Sequence, residues 1–146
     1  MHRLTLSRAL PAIVLLALLV PAVALGAAKA GSYSGTSSVK IPIVVGYTET
    51  TRTDKGKVAF KVSGAKVTGF KVTGQQAFCG GQSPVVDVRI ASIKLSAAGS
   101  GTGNTTNPNL GPIKVTIKVT AAGKATGTIE YAGLCKSSAP FTAKVR

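Results

Sequence analysis

Ile113-Lys114-Val115-Thr116-Ile117-Lys118-Val119-Thr120 alternates branched apolar side chains with Lys and Thr, without a break. In an extended chain, successive side chains point to opposite faces, so this segment predicts a strand with one face on a core and the other in water. The same period-two pattern recurs in Lys57-Val58-Ala59-Phe60-Lys61-Val62, Val86-Asp87-Val88-Arg89-Ile90 and Phe141-Thr142-Ala143-Lys144-Val145. Ile41, Ile43 and Val45 form another such row, in which Pro42 marks an edge or a strand start. No window after residue 31 carries the i, i+3, i+4, i+7 stripe of an amphipathic helix. Strands are expected near 32–38, 40–48, 57–62, 66–73, 84–95, 113–120, 125–132 and 139–145. The fold class is therefore all-β: an antiparallel β-sandwich, with a small β-barrel as the alternative, of about eight strands.

Turn chemistry sets the punctuation. Lys61-Val62-Ser63-Gly64, Lys66-Val67-Thr68-Gly69 and Lys71-Val72-Thr73-Gly74 repeat at five residues. An odd period sends successive copies to opposite faces, so the repeat reads as hairpin chemistry rather than as a ligand-binding unit. It predicts a tight turn at Ser63-Gly64-Ala65 and a bulge at Gly69. Ala121-Ala122-Gly123-Lys124 fits a second hairpin. Residues 97–112, rich in Gly, Asn and Thr, show no alternation of apolar residues and are expected to form a flexible loop. Asn104-Thr105-Thr106 within it matches a glycosylation acceptor, a tripeptide that also arises by chance.

The N-terminus is a different object. Arg3 and Arg8 precede an apolar run from Ala9 to Val20, and small residues follow Pro21. This order predicts a secretory signal peptide over 1–30, cleaved after about residue 26 to 30, and hence a secreted, extracellular or cell-wall location. The domain that remains, 31–146, has no membrane span. Of the 18 basic side chains, 15 remain in it against 4 acidic ones. They include twelve Lys and only Arg52, Arg89 and Arg146.

Cys79 and Cys135 are the only cysteines. An even pair in an exported chain predicts a disulfide, which closes a loop long enough to stabilise the fold by about 4 kcal/mol. The sole His, His2, leaves with the leader. Without it, Ser-His-acid catalysis, a Cys-His pair and His-bearing metal sites are not available. Glu49, Asp54, Asp87 and Glu130 are scattered, only Glu49 and Asp54 lie close in sequence, and a carboxylate pair would have to come from distant strands, for instance Asp87 with Glu130. Both occupy outward phases beside basic residues, where a solvated ion pair is expected. Ser37/Lys40 and Ser63/Lys66 match Ser-x-x-Lys, but residues three apart on a strand face opposite ways. The expectation is a protein that is not an enzyme and that uses no cofactor or metal.

The charge is the one conspicuous surface property. Lys57, Lys61, Lys114 and Lys118 take the outward phase and are candidate contacts for a polyanion such as an anionic cell-wall polymer or polysaccharide. Phe60, Phe70 and Phe141 take the core phase, which leaves few aromatics for base stacking, so specific nucleic-acid recognition is not expected. Lys along sheet edges also opposes aggregation, a role that needs no ligand.

Three stretches, Gly31-Ser32-Tyr33-Ser34-Gly35-Thr36-Ser37, Val58 through Phe70, and Gly123 through Ile129 with Cys135 ahead of Phe141-Thr142-Ala143-Lys144, together resemble small secreted β-proteins of Gram-positive bacteria. The resemblance implies an all-β, sandwich-like fold with a Cys pair and offers no catalytic residues. The functional expectation is a non-enzymatic envelope domain acting by surface contact. Behind it stand a polyanion- or carbohydrate-binding module and, last, a carboxylate hydrolase.

Overall fold

A computed structural model describes residues 27–146. The apolar run of the expected signal peptide lies outside the described residues. The chain forms β1 (Gly31–Val45), β2 (Thr48–Ser63), β3 (Lys66–Gln76), β4 (Val85–Lys94), β5 (Ser100–Asn107), β6 (Gly111–Val119), β7 (Lys124–Tyr131) and β8 (Ser137–Val145). All eight belong to one antiparallel sheet in the order β4-β3-β2-β1-β8-β7-β6-β5. Each strand pairs with its neighbours in sequence, β8 pairs with β1, and the edges β4 and β5 meet through a single bridge between Leu95 and Gly101. The sheet is thus a nearly closed, barrel-like meander.

The alternation of residues 113–120 produces the predicted result: Ile113, Val115, Ile117 and Val119 are buried, while Lys114 and Lys118 are exposed. Inside, Tyr33, Phe60, Phe70 and Phe141 form a continuous aromatic chain with ring centroids 5.0, 5.8 and 5.5 Å apart in that order. Such contacts add about 0.5–1.5 kcal/mol per pair beyond area burial. The outer wall carries Lys and Thr and the interior is apolar, the reverse of a barrel that faces lipid along its wall.

Two expectations are corrected. The segment 97–112 is not a flexible loop, because residues 100–107 form β5, paired with β6 along its whole length. Glycine fills two of the positions where an apolar residue would have announced the strand. A Cβ at Gly103 would lie 2.6 Å from Ile93 Cγ1, so the large β4 side chains occupy that space instead. The two strands expected at 32–38 and 40–48 are one, β1. It pairs with β8 only from Tyr33 to Ser37, and beyond that point it continues alongside β2 alone. Pro42 lies in this half-paired part, where its missing N–H costs no ladder bond on the open side. The expected turn at Ser63–Ala65 and bulge at Gly69 are present, with positive φ at Gly64 (56°) and Gly69 (58°) and a register shift opposite Phe60.

Cys79 and Cys135 are bonded. They lie in the β3–β4 and β7–β8 connections, whose strands are four places apart in the sheet. The bond therefore joins two connections at one end of the barrel-like sheet, the end at which Ala77 and Leu110 are buried.

Tyr131 is 3 % exposed, and burial pushes its phenol from 10.0 up to about 12; burial raises that of Tyr33 as well. Between these pH values the folded chain keeps protons that the unfolded chain releases. Stability is then complete below about pH 10 and falls as pH rises towards 12. Unfolding free energies from urea titrations at pH 9 and 11.5 should differ by an amount on the order of 2 kcal/mol. Tyr131→Phe should lose measurably less over the same interval, and an equal loss would show that Tyr131 does not carry the effect.

Candidate functional site: a two-tiered lysine and hydroxyl face

Outward residues of neighbouring strands line up in rows across the barrel-like sheet, and the register defines them. One row runs Ser100–Lys118–Thr126–Thr142–Thr36–Lys57–Thr73, from β5 across to β3. A second runs Lys124–Lys144–Ser34–Ala59–Lys71–Arg89, from β7 across to β4. Strand spacing of about 4.8 Å puts Lys118 and Lys57 about 19 Å apart along the first row. The two rows run side by side at a separation of about 7 Å, two residues along each strand.

Between the rows lies a shallow depression of about 430 Å³, lined by Ser34, Thr36, Lys124, Thr126, Thr142 and Lys144. Its floor is Gly35, Ala125 and Ala143. These small inward residues let β7, β8 and β1 draw close. A Cβ at Gly35 would meet Thr142 O, and one at Gly127, beside the floor, would meet Thr116 O and the Phe141 ring. The depression thus offers two ammonium groups and four hydroxyls. One hydroxyl is already oriented, since Arg146 Nε donates to Ser34 Oγ at 2.6 Å.

The charges in the second row are arranged against one another. Lys124 faces Lys144 directly across the β7–β8 ladder, and Lys71 faces Arg89 across β3–β4. Like charges in direct opposition destabilise a sheet by about 0.2–1 kcal/mol per pair. No acid belongs to either row. Glu130 pairs instead with Lys114 at 3.9 Å, Asp54 Oδ2 accepts from Gln76 N at 2.9 Å, and Asp87 Oδ1 accepts from Gly74 N at 3.4 Å.

The lysines singled out from the sequence divide between these features. Lys57 and Lys118 cap the two ends of the Lys–Thr–Thr–Thr–Lys stretch of the first row. Lys61 lies one level beyond the second row, opposite Ser32 and Thr68, and Lys114 is the half-exposed partner of Glu130. The β2 pair and the β6 pair are four strands apart in the sheet. Lys124, Lys144 and the threonine row were missed. Lys124 and Lys144 are conspicuous only once β7 is known to pair with β8 in this register.

The acids Asp87 and Glu130 lie on β4 and β7, which are not neighbours. Among the described residues, no group of three or more His, Cys, Asp or Glu side chains is placed to hold a metal ion. Of the aromatics other than Phe60, Phe70 and Phe141, Tyr33 and Tyr131 are buried, Phe78 is half-buried and Tyr47 is fully exposed.

Together, fold and face define a small basic, barrel-like β-domain with a cationic, hydroxyl-rich wall. No protein-family model matches the chain, and no curated protein matches it.

Proposed function

We propose that this domain is exported by its N-terminal signal and works outside the cytoplasm as a non-enzymatic binding protein for an anionic, hydroxyl-bearing polymer. An acidic polysaccharide or anionic cell-wall polymer fits this description. The sheet is read here as the small barrel, because one continuous meander closed by β1 and β8 leaves only the β4–β5 seam. The observation that carries the functional reading is Lys124 opposed to Lys144 beside Ser34, Thr36, Thr126 and Thr142, with no acid in the row. A carboxylate or sulfate group seated between the two ammoniums would relieve their repulsion, and the hydroxyls would meet the sugar's own. Residues Ala28 and Lys29 already belong to the folded body, since Lys29 O accepts from Tyr33 Oη at 2.8 Å and Lys29 N donates to Thr120 O at 3.3 Å. Cleavage after Gly26 keeps both contacts and cleavage after Ala30 removes them, so intact-mass measurement of the secreted protein should find a first residue no later than Lys29.

Lys124→Glu separates a binding role from a merely solubilising one. The change converts a like-charge pair into an opposite-charge pair. The fold should therefore gain stability, by about 0.2–1 kcal/mol, while retention on an anionic polysaccharide column at physiological salt is lost. Unchanged retention would sink the proposal. A Lys114→Glu control should elute close to the parent.

A further inference from the structure

Every large apolar side chain that is exposed among the described residues lies at one end of the barrel: Val44, Val45, Tyr47, Val85 and Leu134. They come from the end of β1 and the β1–β2 turn, the start of β4 and the β7–β8 connection, all at the end where the disulfide lies. At the opposite end the turns carry Ser, Gly, Ala, Thr and Lys. The β1–β2 turn is the tip of a two-stranded ribbon. Beyond Ser37, β1 has no partner on its β8 side, and short of Lys57, β2 has no ladder with β3. Val39 and Ile41 are buried at its base, where Arg52 donates to Gln76 Oε1 at 2.7 Å and Gln76 N donates to Asp54. From Pro42 to Thr51 only Ile43 is partly covered.

Val44 and Val45 are adjacent on a strand and so point to opposite faces of the ribbon. Their exposures are 69 % and 62 %, and Tyr47 is fully exposed at the tip. A flat protein partner would cover one face and leave the other in water. A medium that surrounds the tip covers both. The charges at this end complement an anionic medium. Lys40 and Lys136 line a groove of about 320 Å³ at the base of the ribbon, together with Ser38, Phe78, Ser137 and Ser138, and Arg52 and Lys55 lie along β2. Of the acids here, Asp54 is engaged with Gln76 N. Glu49, opposite Val44, stays free and limits the depth of entry.

We propose that the β1–β2 tip inserts into the interface of an anionic lipid bilayer. Val44, Val45 and Tyr47 enter the boundary between headgroups and acyl chains, Leu134 makes a second contact, and Lys40 and Lys136 meet headgroup phosphates. Apolar immersion and electrostatic attraction to anionic lipid together set the strength of such binding. The site lies apart from the lysine and hydroxyl face and does not depend on its ligand.

The chain contains no Trp, so Tyr47→Trp gives a single reporter. The purified variant is mixed with vesicles of 70:30 phosphatidylcholine and phosphatidylglycerol, and with phosphatidylcholine alone. On the anionic vesicles, Trp emission should shift to the blue and be quenched by brominated acyl chains, with at least about a tenfold weaker response on the neutral ones. Val44→Ser with Val45→Ser, which leaves every charge in place, should reduce partitioning about tenfold or more, and Glu49→Gln should increase it. Lys124→Glu with Lys144→Glu should leave the blue shift intact, so failure of the polysaccharide reading and failure of this one are separable. Co-sedimentation with Trp emission still at its water value would overturn the proposal, because binding would then run through another surface. No association with the anionic vesicles, or a blue shift without lipid accompanied by a dimer in sedimentation, would overturn it equally.

Discussion

Phe70→Ala should lose about 3–5 kcal/mol of stability, read as a fall in the urea midpoint with the slope unchanged. Phe70 is 1 % exposed and stands between Phe60 and Phe141 in the aromatic chain. Its strand is held on both sides by ladders, and the Gly69 bulge directs the ring inward, so the surrounding backbone is poorly able to collapse into the space. Phe70→Leu, which keeps most of the volume, should cost about 1.5 kcal/mol or less. A loss for the alanine variant no larger than for the leucine variant would show that the aromatic chain is not a packed core.

Removing the disulfide, by Cys79→Ala with Cys135→Ala, should cost about 2–5 kcal/mol. The loss has a location as well as a size. The bond joins the β3–β4 and β7–β8 connections at one end of the barrel-like sheet. Amide exchange should therefore accelerate first at Ala77, Leu110 and Leu134, whose amides bond Pro84, Asn107 and Leu110 carbonyls there. The amides of Gly99 and Gly123, in the turns at the other end, should change last. Uniform acceleration along the chain would mean that the bond acts on the unfolded chain alone.

Much of the fold was legible in the sequence, for a definite reason. Residues 113–120, 57–62 and 86–90 carry their own inside-outside alternation, and a strand buried on one face has to. The Gly69 bulge was legible because Val67 and Phe70 are out of phase. β5 was not, since Gly101 and Gly103 face in and Ile90, Ile93 and Leu95 of β4 supply the apolar volume that its own residues lack. The disulfide followed from an even pair of cysteines in a chain whose N-terminus reads as an export signal, yet nothing local told that it would join connections four strands apart in the sheet.

The site was half legible. Strand phase placed Lys57, Lys61, Lys114 and Lys118 on the outside correctly. Which lysines share a row is a property of register and strand order. Lys57 and Lys118 meet on one level only because β1, β7 and β8 intervene with threonines at Thr36, Thr126 and Thr142. The Lys124–Lys144 opposition arises in the same way, from a ladder between segments that neither residue announces.

Amide shift mapping with a short acidic oligosaccharide tests the binding face most directly. Titration should move the signals of Ser34, Thr36, Lys124, Thr126, Thr142 and Lys144 together, saturably, with smaller changes at Lys57 and Lys118 and none at Lys114. Small changes spread evenly over all the lysine-bearing strands, without saturation, would contradict the account and leave the basic wall with no role beyond solubility.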